Sequence, residues 1–209
     1  MNKLIGLTGF IGSGKSTVAN ILTAEYGYRQ DSFAATLKDA VSVIFGWPRE
    51  LVEGGTEESR YWRDTVDAWW SKELGIDAFT PRYALTHYGT DIMRRHFADD
   101  IWLLTVKRRI MAQGDTPVVI TDVRFPNEVN FVQRMAGQFI NIERTARPGW
   151  YDIAKRANTG DADATLQMAT QYDAIHPSEW QWVGLTGDAV LYNTGTITDL
   201  KTRLAKLLA

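Results

Sequence analysis

Residues Gly9 to Ser16 read Gly-Phe-Ile-Gly-Ser-Gly-Lys-Ser and match G-x-x-x-x-G-K-[ST]. An apolar run, Lys3 to Gly9, precedes them, and Lys15 to Gly27 carries Val18, Ile21 and Leu22 at helical spacing, with Gly27 as the expected stop. Strand, glycine loop and helix in that order leave few folds open. The glycines let the backbone curl so that successive N–H groups converge, and the helix N-terminus adds the positive end of its dipole. Such a cradle suits phosphate. The segment Gly12, Ser13, Gly14, Lys15, Ser16 and Thr17 is therefore expected to hold a nucleotide, with Lys15 reaching its β- and γ-phosphates and the Ser16 hydroxyl on Mg²⁺.

A second strand and helix follow at Pro117 to Asp122 and at Phe125 to Gly137, with Pro126 near the first helical turn. Asp122, at the end of a buried strand, is placed to hold the Mg²⁺ shell, or serves as a helix cap or turn residue. Arg124 either faces the same crevice or makes a structural salt bridge. Gln138 to Glu143 and Ala189 to Asn193 are further strand candidates, and Ile197, Leu200, Leu204, Leu207 and Leu208 mark a C-terminal amphipathic helix. Alternating strands and helices predict an α/β fold with a parallel sheet covered on both faces. Two interruptions are expected in one domain spanning 1–209: a mostly helical one over about 31–99, where Thr80 caps and Pro81 opens a helix, and a polar one over about 144–188.

Composition narrows the chemistry. With no cysteine, and with His87, His96 and His176 never at i, i+4 spacing, thiolate sites and helical histidine metal pairs are excluded. A net charge of -2 argues against an extended nucleic-acid track. No apolar run nears the roughly 20 residues of a membrane span, and no signal peptide precedes the first strand, so a cytoplasmic location is expected, the host cytoplasm for a viral protein. An N-K-x-D base-reading segment is absent, which removes the guanine-nucleotide switches. A small kinase with a mobile acceptor region and a lid is favoured, and such an enzyme needs arginines aimed at two sets of phosphates.

The loop, "FAATLKDAV", "TPRYALTHYGTDIMRRHFADDIW", "ITDVRFPNE", "RPG", "HPSE" and "NTGTITDL", in that order, resemble the deoxynucleoside monophosphate kinases of bacteriophages. The resemblance implies a P-loop kinase fold with a helical acceptor-binding insertion and a lid, using ATP and Mg²⁺ to phosphorylate deoxynucleoside 5′-monophosphates. It makes Lys15, Arg124 and Arg147 catalytic, Arg147 as the lid arginine that meets the transferring phosphoryl group. Arg82 and Arg94 become acceptor-site arginines, and Gly89 a point of close approach. Lys38, with Asp39, lines the same pocket or faces solvent; Phe33 and Trp102 could flank the acceptor, whereas the other tryptophans read as packing. Asn193 to Thr196 resembles the loop under adenine and is also an ordinary turn. His176 and Glu179 read as a lid hydrogen-bond network rather than as catalysis. The chain departs from the family at Thr86, where glutamine is common, and over 57–73, a Trp-rich stretch with no family counterpart.

Two rivals stand beside this reading. "GLTGFIGSGKSTVA" is similar to the opening of dephospho-coenzyme A kinases, a likeness that fades after Gly27. A nucleotide-gated binding module without group transfer is the other. The expected partners are small nucleotides, and a homodimer is left open.

Overall fold

The computed structural model describes residues 3–144, 146–185 and 187–208. Strand β1 (Leu4–Thr8) is buried along its whole length, as a central parallel strand covered on both faces must be. The remaining strands are β2 (Arg29–Asp31), β3 (Val118–Ile120), β4 (Gln138–Glu143) and β5 (Ala189–Tyr192). They form one parallel sheet in the order β2-β3-β1-β4-β5. Gly6 pairs with Ile120 on one side and Phe139 on the other, so β1 delivers the glycine loop from the middle of the sheet.

Alternate residues of β1 face opposite layers. Ile5 and Leu7 join Val18, Ile21 and Leu22 of α1 (Lys15–Tyr26) and Leu200 and Leu204 of α11 (Ile197–Leu208) in one core. On the other face lies α8 (Pro126–Arg134), so close that a Cβ on Gly6 would stand 2.8 Å from Val132. Gly27 ends α1 with φ 73°, a left-handed C-cap, as its position in the sequence predicts.

The chain divides into two compact units: residues up to Ser32 together with those from Ile110 onward, and Phe33–Arg109. The second holds α2 (Ala35–Phe45), α3 (Arg49–Glu53), α4 (Glu57–Asp64), α5 (Ala68–Leu74) and α6 (Pro81–Thr86). A π-helical segment (His87–Phe97) then leads to α7 (Ile101–Ala112). Its core gathers Val41, Trp47, Val52, Phe79 and Ala84, with Trp62 and Trp70 packed against them. The indole N–H groups are satisfied: Trp47 donates to Asp67 at 2.8 Å and Trp70 to the Phe45 carbonyl at 3.1 Å. Thr80 caps α6 by accepting from the Tyr83 N–H, and Pro81 occupies its first turn.

The polar interruption after β4 contains α9 (Tyr151–Asn158) and α10 (Ala162–Thr170). Tyr151, Ala154, Met168, Trp182 and Val183 make a small core there. Among the described residues no helix is long and apolar enough to cross a membrane.

One buried carboxylate shapes the turn between β3 and α8. Glu128, 5% exposed, accepts from the backbone N–H of Arg124 at 2.7 Å and of Phe125 at 3.1 Å. Glu128→Ala leaves both donors without that acceptor and should cost roughly 1–3 kcal/mol. Glu128→Gln keeps an acceptor and should cost less; urea denaturation midpoints of the two variants check the order.

Candidate active site

The glycine loop adopts the curled form its sequence predicts. Gly9 and Gly14 have φ 141° and 103°, in the region that favours glycine. A Cβ on Gly9 would fall 2.4 Å from the Ile142 carbonyl, and one on Gly14 2.2 Å from Asn193 Nδ2. The loop is braced from two sides. Lys15 Nζ donates to the Gly9 carbonyl at 2.6 Å and the Phe10 carbonyl at 3.0 Å, and Asn193 Nδ2 donates to the Ser13 carbonyl at 2.8 Å. Ser13 is buried and its N–H bonds to the Phe10 carbonyl. Gly12, Ser16 and Thr17 are exposed at the loop and the start of α1.

Asp122 and Arg124 follow β3, which lies beside β1. Arg124 Nη1 meets Glu179 Oε1 at 2.6 Å and Ser178 Oγ at 3.4 Å. Glu179 ends a short 3-10 turn (Pro177–Glu179) that His176 caps, its Nδ1 lying 2.9 Å from Ser178 Oγ. Of the two readings of Arg124, the structure shows the salt bridge, made with Glu179. Lys15 responds to this neighbourhood. Burial, then the positive charge of Arg124, lowers its pKa from 10.5 to about 8, while Glu179 and Asp122 oppose the shift.

Ser16, exposed at the start of α1, and Asp122, after β3, carry the oxygen donors expected to meet a hard cation. Among the described residues no group of three or more His, Cys, Asp or Glu could hold a metal. This donor set fits Mg²⁺, which keeps water and substrate phosphates in its shell and needs one or two protein ligands, better than a metal caged by protein.

Arg147 sits on the segment that follows β4. Its Nη2 bonds Glu143 Oε1 at 3.0 Å, and its guanidinium lies 4.4 Å from the Tyr151 ring centroid. The hydrogen bond to Glu143 raises its pKa further. Phe10, a variable position of the loop motif, packs edge-on against Trp150, Tyr151 and Trp182 at 5.6, 6.1 and 4.8 Å. The loop is thus anchored in the small core of α9 and α10. Nothing in the spacing of the motif signals that contact. Beside it an open cleft of about 370 Å³ has Phe10, Ile11, Trp150, Ile175 and Glu179 in its walls.

The residues expected to hold the acceptor belong to the second unit. Arg82 engages Asp64 with both Nε and Nη2, the latter at 2.9 Å, and this bonding holds the Asp64 carboxyl below its usual range. Asp64 comes from the Trp-rich stretch. Arg94 Nε bonds Asp99 at 2.9 Å, and Lys38 bonds Glu53 at 2.5 Å. Gly89 and Arg94 are five residues apart, and π-type bonding, as in Ala98 N–H to the Met93 carbonyl at 2.9 Å, brings that spacing toward one face. Gly89 is crowded: a Cβ there would stand 2.6 Å from Leu37. Trp102 is buried and donates to the Gly89 carbonyl at 3.0 Å, and Phe33 is buried as well.

No family model matches the chain. A protein of Acanthamoeba polyphaga mimivirus, provisionally named a deoxynucleotide monophosphate kinase, is 33% identical over 184 residues, covering 82% of this chain and 86% of its own. The deoxynucleoside-5′-monophosphate kinase of Escherichia phage T5 is 29% identical over 178 residues, covering 61% of this chain and 70% of its own. Among solved structures, dephospho-CoA kinase from Campylobacter jejuni aligns with a TM-score of 0.46 at 14% identity, over 99% of this chain and 95% of that one. A third of the residues shared with the mimivirus protein, over more than four fifths of either chain, carries the assignment: the chain belongs to the deoxynucleoside monophosphate kinase family.

Proposed function

We propose that the chain transfers the γ-phosphoryl group of ATP to a deoxynucleoside 5′-monophosphate. An oxygen of the acceptor's phosphate forms the new bond to the γ-phosphorus, the bond to the β,γ-bridging oxygen breaks, and ADP leaves with a deoxynucleoside diphosphate. The observation that carries this reading is the convergence of Lys15, Asp122 and Arg124 at a braced glycine loop in a chain of this family. Lys15 would turn from the loop carbonyls to the β- and γ-phosphates, and the backbone of Gly12 to Thr17 would cradle them. Asn193 would hold the loop in shape from below. Ser16 and Asp122 would hold Mg²⁺, which would supply positive charge to the phosphates.

Arg124 and Arg147 are assigned to the transferring group, and Arg82 and Arg94 to the acceptor's phosphate, because a planar fork of donors matches phosphate oxygens. Each of these arginines already holds a carboxylate. Asp64 and Asp99 are more than half exposed, and such pairs contribute only about 0–1 kcal/mol, so the acceptor's doubly charged phosphate can take their place on Arg82 and Arg94. Lys38 is assigned to the rim of the acceptor site, and Phe33, Gly89 and Trp102 to the packing beneath it. The deoxyribose preference rests on the family alone.

Incubation with ATP and, in turn, dTMP, dGMP, dCMP, dAMP and dephospho-coenzyme A, with chromatographic readout, tests the acceptor. A diphosphate from at least one deoxynucleotide is expected; phosphorylation of dephospho-coenzyme A alone would overturn the reading, and slow hydrolysis indifferent to every acceptor would favour a gated binding module. Lys15→Ala should abolish turnover, which in kinases runs at roughly 1–100 per second, with the melting temperature nearly unchanged. Arg94→Ala should weaken acceptor kcat/KM by about tenfold or more, with ATP affinity little altered.

The lowered pKa of Lys15 gives a signed pH effect. In the protein before nucleotide binds, the lysine loses its proton as pH rises through about 8; phosphates favour its charged form and raise that value again. ATP binding near this pH should therefore take up a proton, and affinity should fall as pH climbs above about 8. Calorimetry in buffers of different ionisation enthalpy measures the uptake, and Lys15→Arg, always charged, should remove it.

A further inference from the structure

Glu179 has no assigned part in phosphoryl transfer, yet it makes the shortest side-chain contact to Arg124, at 2.6 Å. The pair is partly shielded, with side chains 40% and 30% exposed. Glu179 is itself held. His176 Nδ1 lies 2.9 Å from Ser178 Oγ and accepts from the Ser178 N–H at 3.2 Å, closing the turn that presents Ser178 and Glu179 to the guanidinium. From the opposite side Glu128 fixes the Arg124 backbone. Arg124 is thus clamped at its main chain by one carboxylate and at its guanidinium by another. Two cations, Lys15 and Arg124, lie close enough to repel, and Glu179 with Asp122 offsets that repulsion.

We infer that Glu179 is a positioning residue for the reaction proposed above: its carboxylate holds the Arg124 guanidinium beside Lys15, so that the triphosphate meets both cations already aimed. An arginine with five donors and long rotamer freedom otherwise spreads over many orientations, and ordering it during the reaction costs rate. Glu179 acts through Arg124 and touches no reacting atom. Because the inference rests on the kinase reading, the wild-type assay comes first.

The test is a double-mutant cycle on Glu179 and Arg124, with kcat, ATP KM and melting temperature measured for every variant. Glu179→Ala should lower kcat by about tenfold while ATP KM moves less than about threefold, since the loss falls on alignment in the transition state. Glu179→Gln retains a side-chain oxygen for Nη1 and should recover most of the rate. Should Glu179→Ala melt below the assay temperature, Glu179→Met, similar in length and without an acceptor, replaces it beside Glu179→Gln. In an Arg124→Ala background the same changes at Glu179 should have no further effect on kcat. Unchanged or raised kcat in Glu179→Ala, or an equal loss with Arg124 already removed, would overturn the positioning role and leave the kinase reading intact. A wild-type protein that forms no deoxynucleoside diphosphate overturns both.

Discussion

Two positive side chains held close together are the constraint around which the first unit is arranged. Burial first, and then the repulsion between Arg124 and Lys15, lowers the proton affinity of the lysine. Four devices tolerate it. The carbonyls of Gly9 and Phe10 accept from the lysine, Glu179 takes the guanidinium, Asp122 adds a negative charge nearby, and Glu128 holds the turn on which Arg124 sits. In the reaction proposed above, an anion with several negative charges would relieve the repulsion and satisfy both cations at once.

The glycine loop could not take this shape in isolation. Its curl needs glycine where the Ile142 carbonyl and the Asn193 amide approach, and those neighbours come from β4 and from the turn after β5. Phe10 adds a third tie, half-buried against Trp150, Tyr151 and Trp182. The glycine loop, the sheet and the segment of α9 and α10 are therefore packed together within one unit. Phe10 carries these ring contacts from Trp150 and Trp182 to the glycine loop.

The second unit follows the same electrostatic economy with different partners. Arg82 is held by Asp64 and Arg94 by Asp99, each guanidinium engaged by a carboxylate. The Trp-rich stretch, without counterpart in the family resemblance, supplies Asp64 along with Trp62 and Trp70 of the core. Trp62 and Trp70 pack against that core, whereas Trp69 is 61% exposed.

The sequence by itself determined four of the five strands and the glycine loop, because these depend on short-range rules. The β1 run, the glycine spacing, the helical periods of α1 and α11, Gly27 as a stop and Pro126 in the first turn of α8 all read correctly from neighbours a few residues away. Strand β2, with residues Arg29, Gln30 and Asp31, carries no apolar period and stayed invisible; only its pairing to β3 makes it a strand. The helices α9 and α10 were hidden likewise, since the small core that stabilises them draws on residues from Phe10 to Leu185. Partners of the arginines were beyond the sequence for the same reason. Arg124 and Glu179 are separated by 55 positions, Arg82 and Asp64 by 18. Tertiary structure alone decides which carboxylate meets which arginine, because a charge pair depends on distance in space and leaves no periodic trace along the chain.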